Sequence, residues 1–197
     1  MILALDTCLA ACSVALRIGT DTVARTERLG TGHAERVAPM VAEVLAEAGT
    51  SARDLARLCV TVGPGSFMGT RVGLSLAKGL TLPRDLPCVP MTTLHAIALS
   101  APGAPVLIDA RRSQAYVLPP GPGGKGGAPA LVTHDEARTL ALTGRPVGVG
   151  LDAMGLRGED TYPDAGLMAY HAQGAAPAPL RPFYLRAPDA KPPKVQF

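Results

Sequence analysis

The chain has 197 residues, 47% hydrophobic and 18% charged, which is enough apolar content for one or two buried cores. Nineteen Lys and Arg against sixteen Asp and Glu leave a net charge of +3 with no basic block, and aromatics are only 4% with no Trp, which argues against direct base recognition. Asp6 interrupts the N-terminal run "MILALDTCLAAC", so no signal peptide or membrane span is expected; Cys8, Cys12, Cys59 and Cys88 then read as reduced, buried thiols of a cytoplasmic protein.

In chain order, "ILALD" (Ile2 to Asp6), "ACSVALRI" (Ala11 to Ile18) and "DTVARTER" predict a three-stranded meander with a turn at Gly19-Thr20. Val37, Met40, Val41, Val44, Leu45 and Ala48 then recur at helical intervals up to Gly49. Pro39 requires that helix to start near Glu35 or Arg36, or to be kinked. "RLCVTV" reads as a fourth strand, "TRVGLSLAKGL" as a second helix, "LPCVPM" as a fifth strand and "TTLHAIALS" as a third helix, giving the order βββαβαβα. Such an order predicts a mixed sheet whose later strands are parallel and covered by helices.

"APGAP" marks a boundary near residue 100, dividing an N-terminal lobe (1–100) from a smaller C-terminal lobe (101–186). After it, "VLIDAR" and "QAYVLPP" form a hairpin whose turn holds Arg111, Arg112 and Ser113. A flexible Gly/Pro loop follows from Leu118 to Ala130, then a helix from about His134 to Leu142, the strand "PVGVGL", and a poorly defined segment "YPDAGLMAYHAQ". The second half reads as an abbreviated copy of the first, ββαβ, and residues 187–197 as a disordered tail.

The stretch "GPGSFMGTR" between a strand and a helix invites a phosphate, because the first amides of a helix point at anions. Neither glycine-rich signature is met. No lysine stands where G-x-x-x-x-G-K-[ST] needs one, and Met68 takes the third glycine position of G-x-G-x-x-G. Gly69, Gly73 and Ala77 lie on one helical face, so close packing is the favoured role of these glycines. Asp6 and Asp109 end the first strands of the two halves; facing a cleft with Gly65 and Ser66, they would suit a magnesium nucleotide, although strand-end aspartates more commonly cap turns. His33 has Val37 rather than a second histidine four residues on, so no metal site is expected, and Ser66 lacks the G-x-S-x-G frame of a hydrolase.

"ILALDT" with "CSVAL", "GHAERVAPMV", "GPGSFMGTRVGLSLAKGL", "TTL", "DARRSQAY" and "PFYLR" run together in one order over nearly the whole chain, and they resemble the TsaB (YeaZ) family, partner subunits in making threonylcarbamoyladenosine on tRNA. The resemblance implies an actin-like, two-lobed fold. It also implies a non-catalytic subunit without cofactor or metal that binds the catalytic TsaD, with the ATPase TsaE joining the assembly and tRNA met only inside it. By the same resemblance, the helix of Val37, Met40, Val41, Val44 and Leu45 and the helix of Arg71, Leu74 and Lys78 would carry the partner face, which can also pair two copies. Two other readings compete: a minimal actin-like kinase using Asp6, Asp109 and the GPGSF turn, and a glycoprotease-like metallohydrolase.

Overall fold

In the computed structural model, which describes residues 1–124 and 126–186, the apolar run at the N-terminus becomes the central strand β1 (Ile2–Asp6), buried from Leu3 onward because helices cover both faces of its sheet. β2 (Ala11–Ile18) pairs with it antiparallel and β3 (Asp21–Arg28) antiparallel with β2. β4 (Arg57–Thr61) and β5 (Cys88–Met91) add in parallel, giving the five-strand order β3-β2-β1-β4-β5. The edge strand β3 alternates exposed and half-buried residues, as a strand with one solvated face must. The second sheet contains β6 (Val106–Asp109), β7 (Gln114–Leu118), β8 (Ala130–Thr133) and β9 (Val147–Val149) in the order β8-β7-β6-β9. That order repeats β3-β2-β1-β4, so the copy is one strand fuller than the sequence suggested, β8 being formed by the last loop residue, Ala130, and residues 131–133 ahead of the expected helix.

Helix α1 (His33–Glu47) starts at His33, two residues ahead of the expected start, and continues through Pro39. Pro39 lies on the exposed side, where the Glu35 carbonyl that loses its partner is open to water. α1 and α2 (Phe67–Thr81) cover one face of the first sheet, and their core is built on Leu3, Leu5, Leu16, Val37, Met40, Val44 and Leu74. The other face presents Ala4, Ala15 and Cys59, small side chains that let α5 (Ala165–Ala172) lie close through Met168 and Ala169. α3 (Thr93–Ala98) packs instead on the second sheet, with Leu94 and Ile97 against Val106, Ile108 and Leu118. α4 (His134–Ala141) covers the opposite face through Ala137.

The boundary at residue 100 therefore does not separate two self-contained units. α3, from the first half, roofs the second sheet, and α5, from the second half, roofs the first. The segment after α5 stays with the first lobe: the Ala178 amide donates to the Cys88 carbonyl (2.9 Å), the Phe183 amide to the Val62 carbonyl (2.7 Å), and Leu180 and Phe183 pack on the first core. Its end reaches the second lobe, where Arg186 donates to the Gln114 side chain at 2.8 Å. The expected tail, 187–197, lies outside the described residues.

The glycines of α2 are spent on close approach. A methyl at Gly65 would collide with the Cys8 carbonyl oxygen and one at Gly69 with that of Thr7, while one at Gly73 would stand 2.6 Å from the Thr7 hydroxyl. Gly79, on the outer side, faces open space. Chemical denaturation should therefore find Gly69→Ala destabilising by about 3 kcal/mol, since backbone cannot give way cheaply. Gly79→Ala should instead gain about 0.5–1 kcal/mol through helix propensity.

Candidate functional site: the helical face and the interlobe cleft

The start of α2 is locked onto the turn after β1. The Ser66 amide donates to the Cys8 carbonyl at 2.7 Å, the Gly69 amide to Ser66 Oγ at 3.2 Å and the Thr70 amide to the Ser66 carbonyl at 2.9 Å. From the other side the Thr7 hydroxyl donates to the Gly69 carbonyl at 2.7 Å. Ser66 is thus the N-cap of α2. The Ser66, Gly69 and Thr70 amides are thus committed to protein oxygens, and the glycines serve packing.

Asp6 is fully buried behind that turn. Its Oδ1 accepts from the Thr61 hydroxyl at 2.5 Å and the Cys8 amide at 3.2 Å, while Oδ2 has no partner. Burial raises its pKa to about 6, with Thr61 and the Cys8 amide pulling the other way. Of the residues expected to meet a nucleotide here, Gly65 and Ser66 line the cleft, whereas Asp6 does not and is sealed in the protein interior. The Cys8 thiol beside it is pushed up to about 11, and the Cys59 thiol to about 12, chiefly by burial, which makes both poor nucleophiles.

Asp109, at the corresponding end of β6, does face the cleft between the lobes, a cavity of about 720 Å³ whose lining includes His33, Ser66, Asp109, Arg111, Tyr116 and Arg186. Its Oδ1 accepts from the Arg111 amide at 3.0 Å and lies 3.1 Å from His134 Nε2. The sequence reading missed His134 as its neighbour; nothing in spacing joins residue 134 to residue 109 until the sheet is formed. Among the described residues no group of three or more His, Cys, Asp or Glu side chains is placed to hold a metal ion.

The residues expected to meet a partner divide sharply. Val37, Met40, Val41, Val44, Leu45 and Leu74 are all at most 8% exposed, because the stripe that reads as a docking surface is the one that covers the sheet. They form core. Arg71 and Lys78 are exposed. What α1 turns outward is Ala34, Ala38, Pro39, Ala42 and Ala46. Of its carboxylates, Glu43 is paired with Arg36 and Glu47 with Arg25 while Glu35 is exposed, and Arg36 also grips Glu27 of β3 with two N–H groups at 2.5 and 2.8 Å. α2 turns outward Phe67, Met68 and Leu82 at its two ends, exposed by 54%, 67% and 85%. Arg71 lies over the Phe67 ring at 3.5 Å, and Tyr184 stacks on the same ring with centroids 6.0 Å apart. The sequence does contain this signal: the outward residues lie between the core positions on the same helical wheel, but small alanines draw no notice beside a Val/Met/Leu stripe.

Residues 27–121 match a family model described as TsaD: tRNA N6-adenosine threonylcarbamoyltransferase. The TsaB protein of Escherichia coli K12, named for tRNA threonylcarbamoyladenosine biosynthesis, is 40% identical over 121 residues, 58% of this chain and 52% of that protein. This chain thus spans about half the length of the TsaB relative it matches there. An uncharacterized protein of Mycobacterium tuberculosis H37Rv is 33% identical over 198 residues, covering 97% of this chain and 94% of the other. The solved structure of YeaZ from Pseudomonas aeruginosa superposes with a TM-score of 0.75 at 24% identity, covering 93% of this chain and 99% of that one, so the two share the fold.

The buried Asp6 has a measurable signature. A folded-state pKa raised from 3.8 to about 6 means that the folded chain holds this proton more tightly than the unfolded one. Its contribution to stability is full below pH 3.8 and is lost as pH rises to about 6. Urea unfolding across that window should show Asp6→Asn gaining relative to wild type as pH rises, by about 3 kcal/mol in the limit. Parallel curves for the two proteins would show that Asp6 ionises normally.

Proposed function

This chain belongs to the TsaB (YeaZ) family, and we propose that it is the non-catalytic partner of a TsaD-like threonylcarbamoyltransferase, supporting formation of threonylcarbamoyladenosine in tRNA at the adenosine next to the anticodon. The observation that carries this reading is the outward surface of α1 and α2. Alanines at 34, 38, 42 and 46 let another helix approach closely, and Phe67, Met68 and Leu82 supply apolar anchors beside them. Glu43 and Glu47 are neutralised inside the chain, so covering them strands no charge, while Glu35 stays exposed next to Ala34. Arg71 and Lys78 remain on the rim.

On this reading the enzyme's chemistry belongs to the partner. The kinase alternative needs Asp6 in the cleft, and here it is sealed in the interior. A TsaE-like ATPase joins the assembly, tRNA meets this subunit only within it, and two copies can pair through the same helices when the partner is missing. The chain works in the cytoplasm; among the described residues no helix is long and apolar enough to cross a membrane.

Co-expression with the TsaD subunit of the same organism, followed by affinity measurement on the purified pair, tests the reading. Ala42→Arg and Met68→Asp, both outward, should weaken the complex roughly tenfold or more while leaving the melting temperature of the free chain nearly unchanged. Val41→Asp should instead unfold the chain, because it places a charge in the core. Full affinity in both outward variants would refute docking at this face.

A further inference from the structure

The PFYLR motif, Pro182 to Arg186, belongs to neither docking helix, yet its side chains join parts of the molecule that are distant in sequence. Phe183 packs on the first core, and its amide donates to the Val62 carbonyl at 2.7 Å. Leu185 packs on the cluster that α3 forms with the second sheet. Arg186 donates to Gln114 Oε1 at 2.8 Å and to the Arg111 carbonyl at 3.4 Å, at the turn between β6 and β7. The segment lies close against the chain that leads into α2: a methyl at Gly63 would stand 2.7 Å from the Phe183 carbonyl oxygen. With Phe183 and Leu185 turned inward, the residue between them is turned out, and Tyr184 is 46% exposed.

Tyr184 stacks on Phe67 with the ring planes 24° apart, and the Arg71 guanidinium lies over the same Phe67 ring. Aromatic rings stabilise a fold chiefly by being buried, but Phe67 and Tyr184 keep about half their surface in solvent, and Met68 beside them keeps more. Met68 lines the same cavity mouth as Ala34, so this shelf continues the alanine row of α1. Its charge is uncompensated. Among the described residues neither Arg71 nor Lys78 has an ion-pair partner, whereas on α1 only Glu35 is left without one, Glu43 and Glu47 being paired with Arg36 and Arg25.

We propose that the PFYLR segment supplies a docking residue of its own: the shelf of Phe67, Met68 and Tyr184 receives an apolar side chain of the TsaD-like partner, and Arg71 receives a carboxylate beside it. The inference rests on the reading that α1 and α2 carry the docking face, and adds to that face a residue from a separate part of the chain. A ring anchored on both flanks by Phe183 and Leu185 meets the partner already oriented, which lowers the ordering cost of binding. Arg71, held over Phe67, is likewise placed in advance for a carboxylate.

Affinity measurement on the purified pair at low and high salt, with the chain carrying Tyr184→Ala, Tyr184→Phe or Arg71→Glu, tests it. Tyr184→Ala and Arg71→Glu should each weaken the complex by about tenfold. Tyr184→Phe should bind as wild type, because the ring and not the hydroxyl makes the shelf, and the affinity of Arg71→Glu should fall less with added salt than that of wild type. The side chains are exposed, so the melting temperature of the free chain should move by no more than about 2 °C. In the wild-type pair, amide exchange of the peptide covering 183–186 should slow on binding, a result that needs no substitution. Full affinity in Tyr184→Ala with unchanged exchange at 183–186, beside weakened binding in Ala42→Arg, would overturn the shelf and leave docking on the helices standing. Full affinity in Arg71→Glu would overturn the carboxylate contact. No complex with the wild-type chain, or full affinity in Ala42→Arg as well, would remove both readings. An effect of Tyr184→Ala confined to self-association of the free chain would assign the shelf to a second copy and overturn the proposal too.

Discussion

Three glycines allow the start of α2 to lie directly on the turn that follows β1, so close that a methyl at Gly65 or Gly69 would strike a carbonyl oxygen of Cys8 or Thr7. Much of the first lobe's arrangement depends on this contact. It spends the Ser66 and Gly69 amides on protein oxygens, and Asp6 lies sealed beside Thr61 and Cys8. Part of a strand-turn-helix geometry able to receive phosphate is thus occupied by the protein itself. Gly-rich turns of this kind owe their anion affinity to free amides rather than to glycine as such, so the same residue types serve a packing role once the amides are engaged.

The contact also fixes how α2 is rolled about its axis. With Gly69, Gly73 and Ala77 facing the sheet, Phe67, Met68, Arg71 and Lys78 must face away. α1 follows the same logic, its Val/Met/Leu stripe inward and its alanines outward. Each helix therefore has two surfaces with different duties, and on the reading proposed above only the outer one meets another subunit. The exchange of α3 and α5 between the two sheets ties the lobes together, and the segment ending at Arg186 spans them again.

Much of this was legible in the sequence. The meander, the helices of the first half and the β6–β7 hairpin follow from period and turn chemistry, and the equivalence of Asp6 and Asp109 follows from the repeat. What escaped did so for physical reasons. α5 is eight residues long and keeps Leu167 and Tyr170 among its less buried positions, so polar residues do not mark its outer side. β8 is four residues long and follows glycines and prolines that suggest a loop. Which sheet α3 covers is a tertiary choice that its own six residues do not encode. The docking residues were misread because an apolar stripe is the same signal whether it covers a sheet or a partner; only burial separates the cases. Asp6 and Asp109 occupy equivalent strand ends, yet one is sealed and the other open, and that difference comes from what packs above each strand.

Peptide-resolved amide hydrogen exchange of the chain, alone and mixed with the TsaD-like partner proposed above, tests the central claim most directly. The Ser66 and Gly69 amides of the turn into α2 should exchange slowly in both states, since they are already bonded, while the later peptides of α1 and α2 slow on binding. A turn that exchanges fast in the free chain and becomes protected in the complex, with α1 and α2 unchanged, would contradict the account.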